Sequence, residues 1–389
     1  MAGVTAIGHY VNVYFQADLS PWLGDRLRPM YRVATPTHQG VFQPVDGQRR
    51  WLCQLPYDGS PEAFARYDAA ACTRWIRAAL RAADVMPDIF SIGHWTMNAT
   101  VAEQFSAGGV FLVGDAAHTM PPTGGLGVNT GIQGAHNLAW KLALVLKGQA
   151  HASLLATYES ERRPVALENT HRSLENARAL LSALGAEASA ADHAEPLAAA
   201  VSAARPRPDG HVLGPELGYR YASTAVTPDG TAPPSDDPIL EYVPRGHTGD
   251  RAPHLWIRMD DQRRSTLDLF GTGFTVLTSQ GPEWPSAARW TQATVNVAVT
   301  AHTLVAEHDA FERRYGVRTG GAVLVRPDGH IAARWTDRPA DPAAALTEAL
   351  RRILGLASSA TAPDHVTRPT TTVDAPVQAR PAPTHEESR

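Results

Sequence analysis

Residues 108–148 constrain the fold most, because they join an apolar run to a glycine-rich loop and a long helical pattern. The apolar run, residues 110–113, has the composition of a fully buried parallel strand. The loop that follows can bring its backbone close to a ligand without intervening side chains. Its prolines and glycines are Pro121, Pro122, Gly124, Gly125 and Gly127. This order predicts an α/β unit with a ligand at the loop.

The helix after this loop is expected to begin near Thr130, because Thr130 and Gln133 have the spacing of a capping box. Apolar residues then recur at helical spacing and predict one buried stripe. The stripe consists of Ile132, Ala135, Ala139, Leu142 and Leu146. Free N–H groups and the positive dipole end at the start of such a helix favour an electron-rich ligand edge. The loop is therefore a predicted anion-stabilising site.

The run GDAAHTMPPTGGLGVNTGIQGAHNLAWKL resembles the second flavin-binding motif of the group A FAD-dependent aromatic and polyketide hydroxylases, the para-hydroxybenzoate hydroxylase type. The resemblance implies that Asp115 hydrogen-bonds the ribityl chain of FAD and that Pro122 lies against the isoalloxazine ring. It also implies that the N–H groups of Val128 and Asn129 face the pyrimidine carbonyl, where reduction places negative charge. The implied FAD-binding residues are Gly114, Asp115, Pro122, Gly124, Gly125, Gly127, Val128 and Asn129. Taken alone, Asp115 is also typical of a turn cap.

Composition excludes several classes of partner. The 389 residues include 35 basic and 39 acidic ones, a net charge of −4, so no strong field attracts nucleic acid or a membrane surface. Cys53 and Cys72 are isolated, which predicts neither a disulfide framework nor a metal site. The sequence shows no signal-peptide pattern and no run long enough to span a bilayer. We therefore expect a cytoplasmic protein that acts on a small molecule, which the resemblance implies is aromatic.

The first region, residues 1–105, is expected to form an antiparallel sheet and a helix. The strands are predicted over residues 9–15, 30–33, 40–45, 50–55 and 89–99, and the helix over residues 68–83. In the resembling family such a sheet is the substrate domain and roofs the flavin ring. Substrate candidates are Tyr14, Gln43, Trp51 and Gln54. Side chains on a sheet face are more often packing residues, which is the alternative for each.

The remaining chain divides by composition. Residues 106–204 carry the flavin motif and a long helix over 153–184 that Pro164 should kink or break. The charged run inside that helix is interpreted as a solvated or salt-bridged face. It consists of Glu159, Glu161, Arg162 and Arg163. Residues 205–245 are predicted to be a linker, and residues 358–389 a disordered tail.

Residues 246–357 are expected to form a small domain of mixed strands and helices. Strands are predicted over residues 252–257, 265–271, 274–279 and 294–300, with a hairpin over 321–335. Helices are predicted over residues 285–290, 309–315 and 342–354. The region resembles the thioredoxin-like C-terminal domain of the same hydroxylases, but it has no Cys-x-x-Cys, which excludes thiol redox chemistry. The predicted fold class is therefore α/β, with an α+β substrate sheet, a partial FAD-binding domain and a thioredoxin-like domain.

No GxGxxG turn precedes His9, although the resembling family opens with a strand and such a turn, which receives the FAD pyrophosphate. We expect this half to be lost by truncation or supplied by a second polypeptide. Its loss should weaken FAD binding about a thousandfold for about 4 kcal/mol of lost contacts. Gly134 and Gly109 depart further from the family, which carries Asp and often Arg there, and they favour relaxed cofactor binding.

The resemblance implies a FAD-dependent monooxygenase that uses NAD(P)H and O₂ to hydroxylate an aromatic or polyketide-type substrate. The catalytic residues stay unknown, because no side chain is a secure general base. His118 and His136 are candidates for proton transfer, with structural roles favoured for both. The alternative is a non-redox scaffold, cyclase-like or a partner subunit, derived from the hydroxylase fold.

Overall fold

The computed structural model describes residues 1–24, 28–35, 37–47, 49–189, 213–231, 242–259, 261–305 and 307–356. The predicted tail over 358–389 lies outside these ranges. Within them, every helix is too short or too polar to cross a membrane. The mixed α/β fold class predicted from the sequence is confirmed.

The first sheet is antiparallel throughout and has the strand order β2-β3-β4-β1-β5-β8. A separate two-stranded pair, β6 and β7, precedes the last of these strands. The strands are β1 Ala2–Gln16, β2 Tyr31–Ala34, β3 Gln39–Pro44, β4 Arg50–Tyr57, β5 Asp88–Val101, β6 Ser106–Ala107, β7 Val110–Phe111 and β8 His118–Thr119. The predicted antiparallel sheet of the N-terminal region is present, with β1 and β5 longer than expected.

One face of this sheet is closed by a helix. Short helices α1 (Ser20–Leu23) and α2 (Pro61–Phe64) precede α3 (Ala69–Leu80), whose cap Asp68 accepts a hydrogen bond from the Ala71 N–H. Apolar side chains of β1, β3 and β4 pack with Cys72 and Ile76 of α3 in one core. Alternation along the strands therefore leaves the opposite face of the sheet uncovered by α3.

The prediction of a fully buried parallel strand over residues 110–113 is wrong. Only Val110 and Phe111 are in a strand, and they pair antiparallel with Ser106–Ala107. Val110 is 65% exposed, because within the described residues no parallel strand lies beside it. Phe111, Leu112 and Val113 instead pack partly against the cluster around Tyr158.

Helix α4 (Leu126–Leu146) begins four residues before the predicted start, and its cap is Gly125 with φ of 68°. The capping box is therefore wrong, and the Thr130 hydroxyl donates to the Leu126 carbonyl inside the helix at 2.7 Å. The predicted stripe is also wrong, since Ile132 is 63% and Leu146 82% exposed. The buried face instead comprises Leu126, Thr130, Gly134, Asn137, Leu138, Trp140, Lys141 and Leu144. Polar partners on neighbouring elements, which periodicity does not detect, decide this face.

Helix α5 (Ser153–Ser189) packs along α4 and continues through Pro164, so the predicted break into two helices does not occur. Helix α6 (Leu213–Leu217) and the residues after it fall inside the predicted linker. Tyr221 and Val226 are nevertheless buried in a cluster with Val165 of α5, and Ala225 joins the core of the C-terminal region. The prediction of a linker is therefore wrong for residues 213–231, which pack against the rest of the protein. Their apolar side chains are irregularly spaced, so periodicity in the sequence did not indicate this packing.

The C-terminal region is a four-stranded sheet of order β12-β11-β13-β14 with a separate β9-β10 pair. Parallel β11 and β12 are joined through α7, and β13 and β14 form an antiparallel hairpin. The strands are β9 Trp256–Met259, β10 Gln262–Ser265, β11 Phe274–Thr278, β12 Val299–Thr303, β13 Ala322–Val325 and β14 Ile331–Trp335. The helices are α7 Glu283–Val295, α8 His308–Tyr315 and α9 Pro342–Leu354.

Two of the C-terminal strand predictions are corrected by the structure. Residues 266–269 form a 3-10 helix, whose capping box is Ser265 with Asp268, and not a strand. Residues 294–300 contain the end of α7 and the start of β12, separated by a turn at Asn296. The mixed strands and helices are confirmed, and the closer assignment to a thioredoxin-like fold stays a prediction.

Candidate functional site

The glycine loop, residues 114–127, holds its backbone in conformations that side chains disfavour. Gly114, Gly124 and Gly125 have φ of 61°, 105° and 68°, in the left-handed region open to glycine. A Cβ added to Gly131 of α4 would lie 3.3 Å from the Cα of Gly114. The first turns of α4 therefore pass against the Gly-Asp turn with bare backbone on both sides.

An open cleft of about 730 Å³ lies between this loop, the first turns of α4 and strand β5. Its walls include Trp95, Asp115, Pro122, Val128, Gly131 and Ile132. Of the residues implied to bind FAD, the structure brings Gly114, Asp115, Pro122, Gly127 and Val128 to the cleft. The other three do not line the cleft: Gly124 faces Asn176 of α5, and the Asn129 side-chain amide donates to the Gly125 carbonyl at 2.9 Å.

The start of α4 offers hydrogen-bond donors to the cleft. The first N–H groups of any α-helix lack intrahelical partners. Because the cap is Gly125, no cap side chain occupies these groups in α4. Val128, in the first turn, lines the cleft. Free amides and the positive end of the helix dipole make this a place where negative charge on a ligand is stabilised.

The uncovered face of the sheet carries three of the four substrate candidates. Tyr14 and Gln43 both pair with Leu52, and Gln54 pairs with Asn12, so these side chains share one face. Trp51 projects to the other face, where it is 1% exposed and donates from Nε1 to the Ala17 carbonyl at 3.2 Å. Trp51 is therefore a core residue and not a substrate candidate, because residues three apart in a strand point to opposite faces.

Trp95 connects this sheet face to the cleft. Its Nε1 donates to Oδ1 of Asn12 at 2.8 Å, and its ring stacks on Tyr10 with centroids 5.0 Å apart. Trp95 also lines the cleft of the glycine loop. The sheet face and the cleft thus form a continuous surface, with aromatic side chains at their junction.

The two histidine candidates for proton transfer are not on the cleft wall. His118 is buried, and its Nδ1 finds no hydrogen-bond partner among the described residues. Burial and the nearby Arg162 lower the pKa of His118, against the opposing charge of Asp115, so the imidazole is neutral at pH 7. His136 lines a different cleft, between α4 and the C-terminal region.

Comparison with known proteins decides the family. The FAD binding domain family matches residues 1–173, and the family described as aromatic-ring hydroxylase, C-terminal, matches residues 245–357. Tetracenomycin B2 monooxygenase-dioxygenase of Streptomyces olivaceus is 38% identical over 90% of this chain and 63% of its own length. For 2,4-dichlorophenol 6-monooxygenase of Delftia acidovorans, the identity is 33% over 92% of this chain and 67% of that protein. The chain belongs to the FAD-dependent aromatic-ring hydroxylases.

A solved structure supports membership of the chain in this family. The flavin-dependent monooxygenase PieE, in complex with FAD and substrate, matches with a TM-score of 0.77 and 33% identity over 91% of this chain and 66% of PieE. The chain spans 63% of the length of the tetracenomycin relative, which is less than two thirds.

The cleft of this chain fits an isoalloxazine ring. It is open to solvent and bounded on one side by bare backbone at Gly127 and Gly131. A Cβ at Gly127 would contact the Met120 side chain at 3.6 Å, so side chains on this wall would narrow the cleft. The free amides of α4 suit the electron-rich edge of the ring.

Behind the cleft lies a buried ion-pair network of Lys141, Glu161, Arg326 and Asp328. Glu161 receives two hydrogen bonds from Arg326, at 2.6 and 2.8 Å, and one from Lys141 at 2.8 Å. Arg326 also pairs with Asp328, at the hairpin turn between β13 and β14. The side chains of all four are at most 3% exposed. The network therefore joins α4 and α5 to the C-terminal region.

Charge and burial compete within this network. Burial alone would raise the pKa of Glu161, but the positive charges of Arg326 and Lys141 outweigh it and hold the pKa well below its usual range. Burial lowers the pKa of Lys141 to about 8, against the attraction of Glu161. Burial likewise lowers the pKa of the nearby His330 to about 4, so that imidazole is neutral at pH 7. Two cations and two anions balance one another.

Arg162, the next residue along α5, is buried differently. It donates to the Tyr221 hydroxyl at 3.0 Å, to the Thr130 carbonyl at 3.2 Å and to Oε1 of Gln133 at 3.3 Å. Among the described residues these partners are neutral, and no carboxylate forms an ion pair with Arg162. Arg162 is 1% exposed, so its charge is not screened by direct contact with water.

The prediction of a solvated or salt-bridged face over residues 159–163 is confirmed for Glu161 in its salt-bridged form, although Glu161 is buried, at 2% exposure. The prediction is wrong for Arg162, which is 1% exposed and has neutral hydrogen-bond partners among the described residues. A signal for their burial is present in the sequence. Both residues lie at helical spacing between the apolar Tyr158 and Val165, which are buried themselves. A charged residue on an apolar helix stripe indicates a buried charge.

Proposed function

We propose that the chain carries the flavin-ring site and substrate sheet of a monooxygenase that hydroxylates an aromatic or polyketide-type substrate with FAD, NAD(P)H and O₂. The observation that carries the proposal is the open cleft between the glycine loop and the aromatic end of the sheet face. Membership of the hydroxylase family supports it. The cytoplasmic location stays a prediction.

The residues of the loop would hold the flavin as follows. Asp115 would accept hydrogen bonds from the ribityl chain, and Pro122 would lie against the ring. The N–H groups of Val128 and Asn129 would stabilise negative charge on the pyrimidine edge, which preorganised donors do without reorganisation. Bound FAD would supply hydride acceptance from NAD(P)H and the activation of O₂. The protein contributes position and electrostatics.

The substrate would lie on the uncovered sheet face, against Trp95. Tyr14, Gln43 and Gln54 share that face and offer hydrogen-bonding groups beside apolar surface. A planar polycyclic phenol suits such a surface, because aromatic stacking and a few placed polar groups fix its orientation. The names of the relatives, which include a polyketide hydroxylase and a chlorophenol monooxygenase, support an electron-rich ring as substrate.

Flavin titration of the purified chain tests the proposal. The protein should bind flavin with a shift of its visible absorbance, and Asp115→Ala should weaken binding about 10- to 100-fold by removing a charged hydrogen-bond partner. Asp84→Ala, an exposed carboxylate outside the loop, is the matched control and should bind as the wild type does. A chain that stays colourless with excess flavin, yet binds a polycyclic phenol, would favour the non-redox scaffold instead.

We propose further that a GxGxxG segment, from a second polypeptide or a longer chain, completes the adenosine part of the site. Val110 and Ile132 support this, because such a segment would cover these exposed apolar side chains. The chain alone should then bind riboflavin and FAD with similar affinity, since it contacts only the part they share. Binding of FAD far more tightly than riboflavin by the chain alone would contradict this second proposal and leave the first intact.

A further inference from the structure

Within the part of the chain that the structure describes, the charges buried behind the glycine loop do not sum to zero. Lys141 and Arg326 are balanced by Glu161 and Asp328 in the ion-pair network. Arg162 adds one more buried positive charge with neutral partners. A buried cation without a counter-ion lowers the stability of the folded protein. We therefore infer that Arg162 has a role at the neighbouring site.

Arg162 is hydrogen-bonded to the part of α4 that borders the cleft. Its guanidinium donates to the Thr130 carbonyl, and the next residue, Gly131, lines the cleft and packs against Gly114. With a rise of about 1.5 Å per residue, the start of α4 lies about 6 Å from Thr130 along the helix axis. The charge therefore lies beside the second turn of α4, one turn beyond the amides that face the cleft.

The charge of Arg162 also acts on a group of the loop. His118 follows the Gly-Asp turn in β8, and Arg162 helps to lower its pKa. The influence of Arg162 is thus felt by a group on the loop without direct hydrogen bonding between them. The same positive charge that disfavours protonation of His118 would stabilise an anion on the loop.

Gly134 accounts for the missing counter-ion. It is buried on the α4 face toward α5, and a Cβ added there would lie 4.0 Å from Nε of Arg162 and 3.7 Å from the Tyr158 hydroxyl. Both are ordinary contact distances, so the position has room for a short side chain. A carboxylate at residue 134 would reach the guanidinium and neutralise it.

We propose that Arg162 is a positioning residue whose unbalanced buried charge raises the reduction potential of the flavin bound at the glycine loop. The inference rests on the proposed function, because it requires flavin at the cleft. Reduced flavin carries negative charge at the edge that faces α4, so a cation behind the helix stabilises the reduced form more than the oxidised form. Because Gly134 has no side chain, α4 offers no anionic partner to Arg162 at this position.

The test is the midpoint potential of flavin bound to Gly134→Asp and to Gly134→Asn, which have the same shape and differ in charge. The aspartate should reduce the preference for reduced over oxidised flavin about tenfold, a fall of about 30 mV for a two-electron couple. The asparagine should keep the wild-type potential. Arg162→Gln, which removes the charge from the other side, should lower the potential as the aspartate does.

The flavin-free protein gives a second readout by NMR titration of His118. Gly134→Asp should raise the pKa of His118 relative to Gly134→Asn, and this also shows that the variants are folded around the site. Equal potentials for the aspartate and asparagine variants would overturn the inference while leaving the proposed function intact. A wild-type protein that binds no flavin would overturn the proposed function, and the inference with it.

Discussion

Glu161 and Arg162 are neighbours in sequence and equally buried, yet they sit in opposite electrostatic surroundings. Glu161 faces the C-terminal region and is enclosed by Arg326 and Lys141. Arg162 faces the first turns of α4 and has hydroxyl, carbonyl and amide partners. Glu161 belongs to the ion-pair network that connects α4 and α5 to the C-terminal region, whereas Arg162 is a cation without an anionic partner among the described residues and lies near the candidate site. Buried charge serves stability in the first place and, in our proposal, the reduction potential of a bound flavin in the second.

The largest expected effect is that of Glu161→Gln. It leaves Arg326 and Lys141 buried with only Asp328 to balance them, which should lower the free energy of unfolding by about 3–5 kcal/mol. Glu168→Gln on the same helix, in an exposed pair with Arg172, is the control and should change it by less than about 0.5 kcal/mol. Urea unfolding followed by circular dichroism measures both. Equal losses of unfolding free energy for the two variants would show that the ion-pair network does not hold α4 and α5 to the C-terminal region.

Acid should weaken the same ion-pair network. The pKa of Glu161 is lowered in the folded protein, so its contribution to stability is present above its unfolded value of 4.5 and is lost as pH falls below it. The difference in unfolding free energy between wild type and Glu161→Gln should shrink by about 2 kcal/mol between about pH 6 and about pH 3, at about 1.4 kcal/mol per unit. Denaturation at a series of pH values measures it, and a constant difference would contradict the assignment of charge to Glu161.

The smallest effect on stability is expected for Arg162→Gln. It removes hydrogen bonds to neutral groups and also removes an unbalanced charge, so the net loss should be about 1 kcal/mol. The same denaturation measurement applies, with Glu161→Gln as the internal reference. A loss as large as that of Glu161→Gln would show that an anion outside the described residues balances Arg162, and the contrast between the two neighbours would disappear.

Elements with strong local signals were predictable from the sequence. Helix α9 has the predicted bounds, Pro342–Leu354, because Asp341 caps it, Pro342 begins it and Gly355 ends it. The antiparallel strands of the first sheet followed from alternation and turn residues. The bent backbone of the glycine loop was predictable because Gly114, Gly124 and Gly125 adopt conformations that glycine tolerates best.

Features that depend on contacts distant in sequence were not predictable in the same way. The buried face of α4 is set by Glu161 and Asp328, which hydrogen-bond Asn137 from 24 and 191 residues away. Periodicity of apolar residues selected the exposed Ile132 and Leu146 instead. Trp51 is a different case, since its spacing from Gln54 already placed the two on opposite faces. There the sequence held the answer, and strand alternation was the rule to apply.

The hairpin turn of the C-terminal region reaches into the protein with Arg326 and Asp328 rather than resting on its surface. Exchange of this region with that of a relative is therefore a problem of charge matching as much as of shape. A transplanted region that lacks an arginine and an aspartate at these two positions would leave Glu161 and Lys141 facing an apolar surface. Chimeric hydroxylases should accordingly be cut so that α4, α5 and this turn come from one parent.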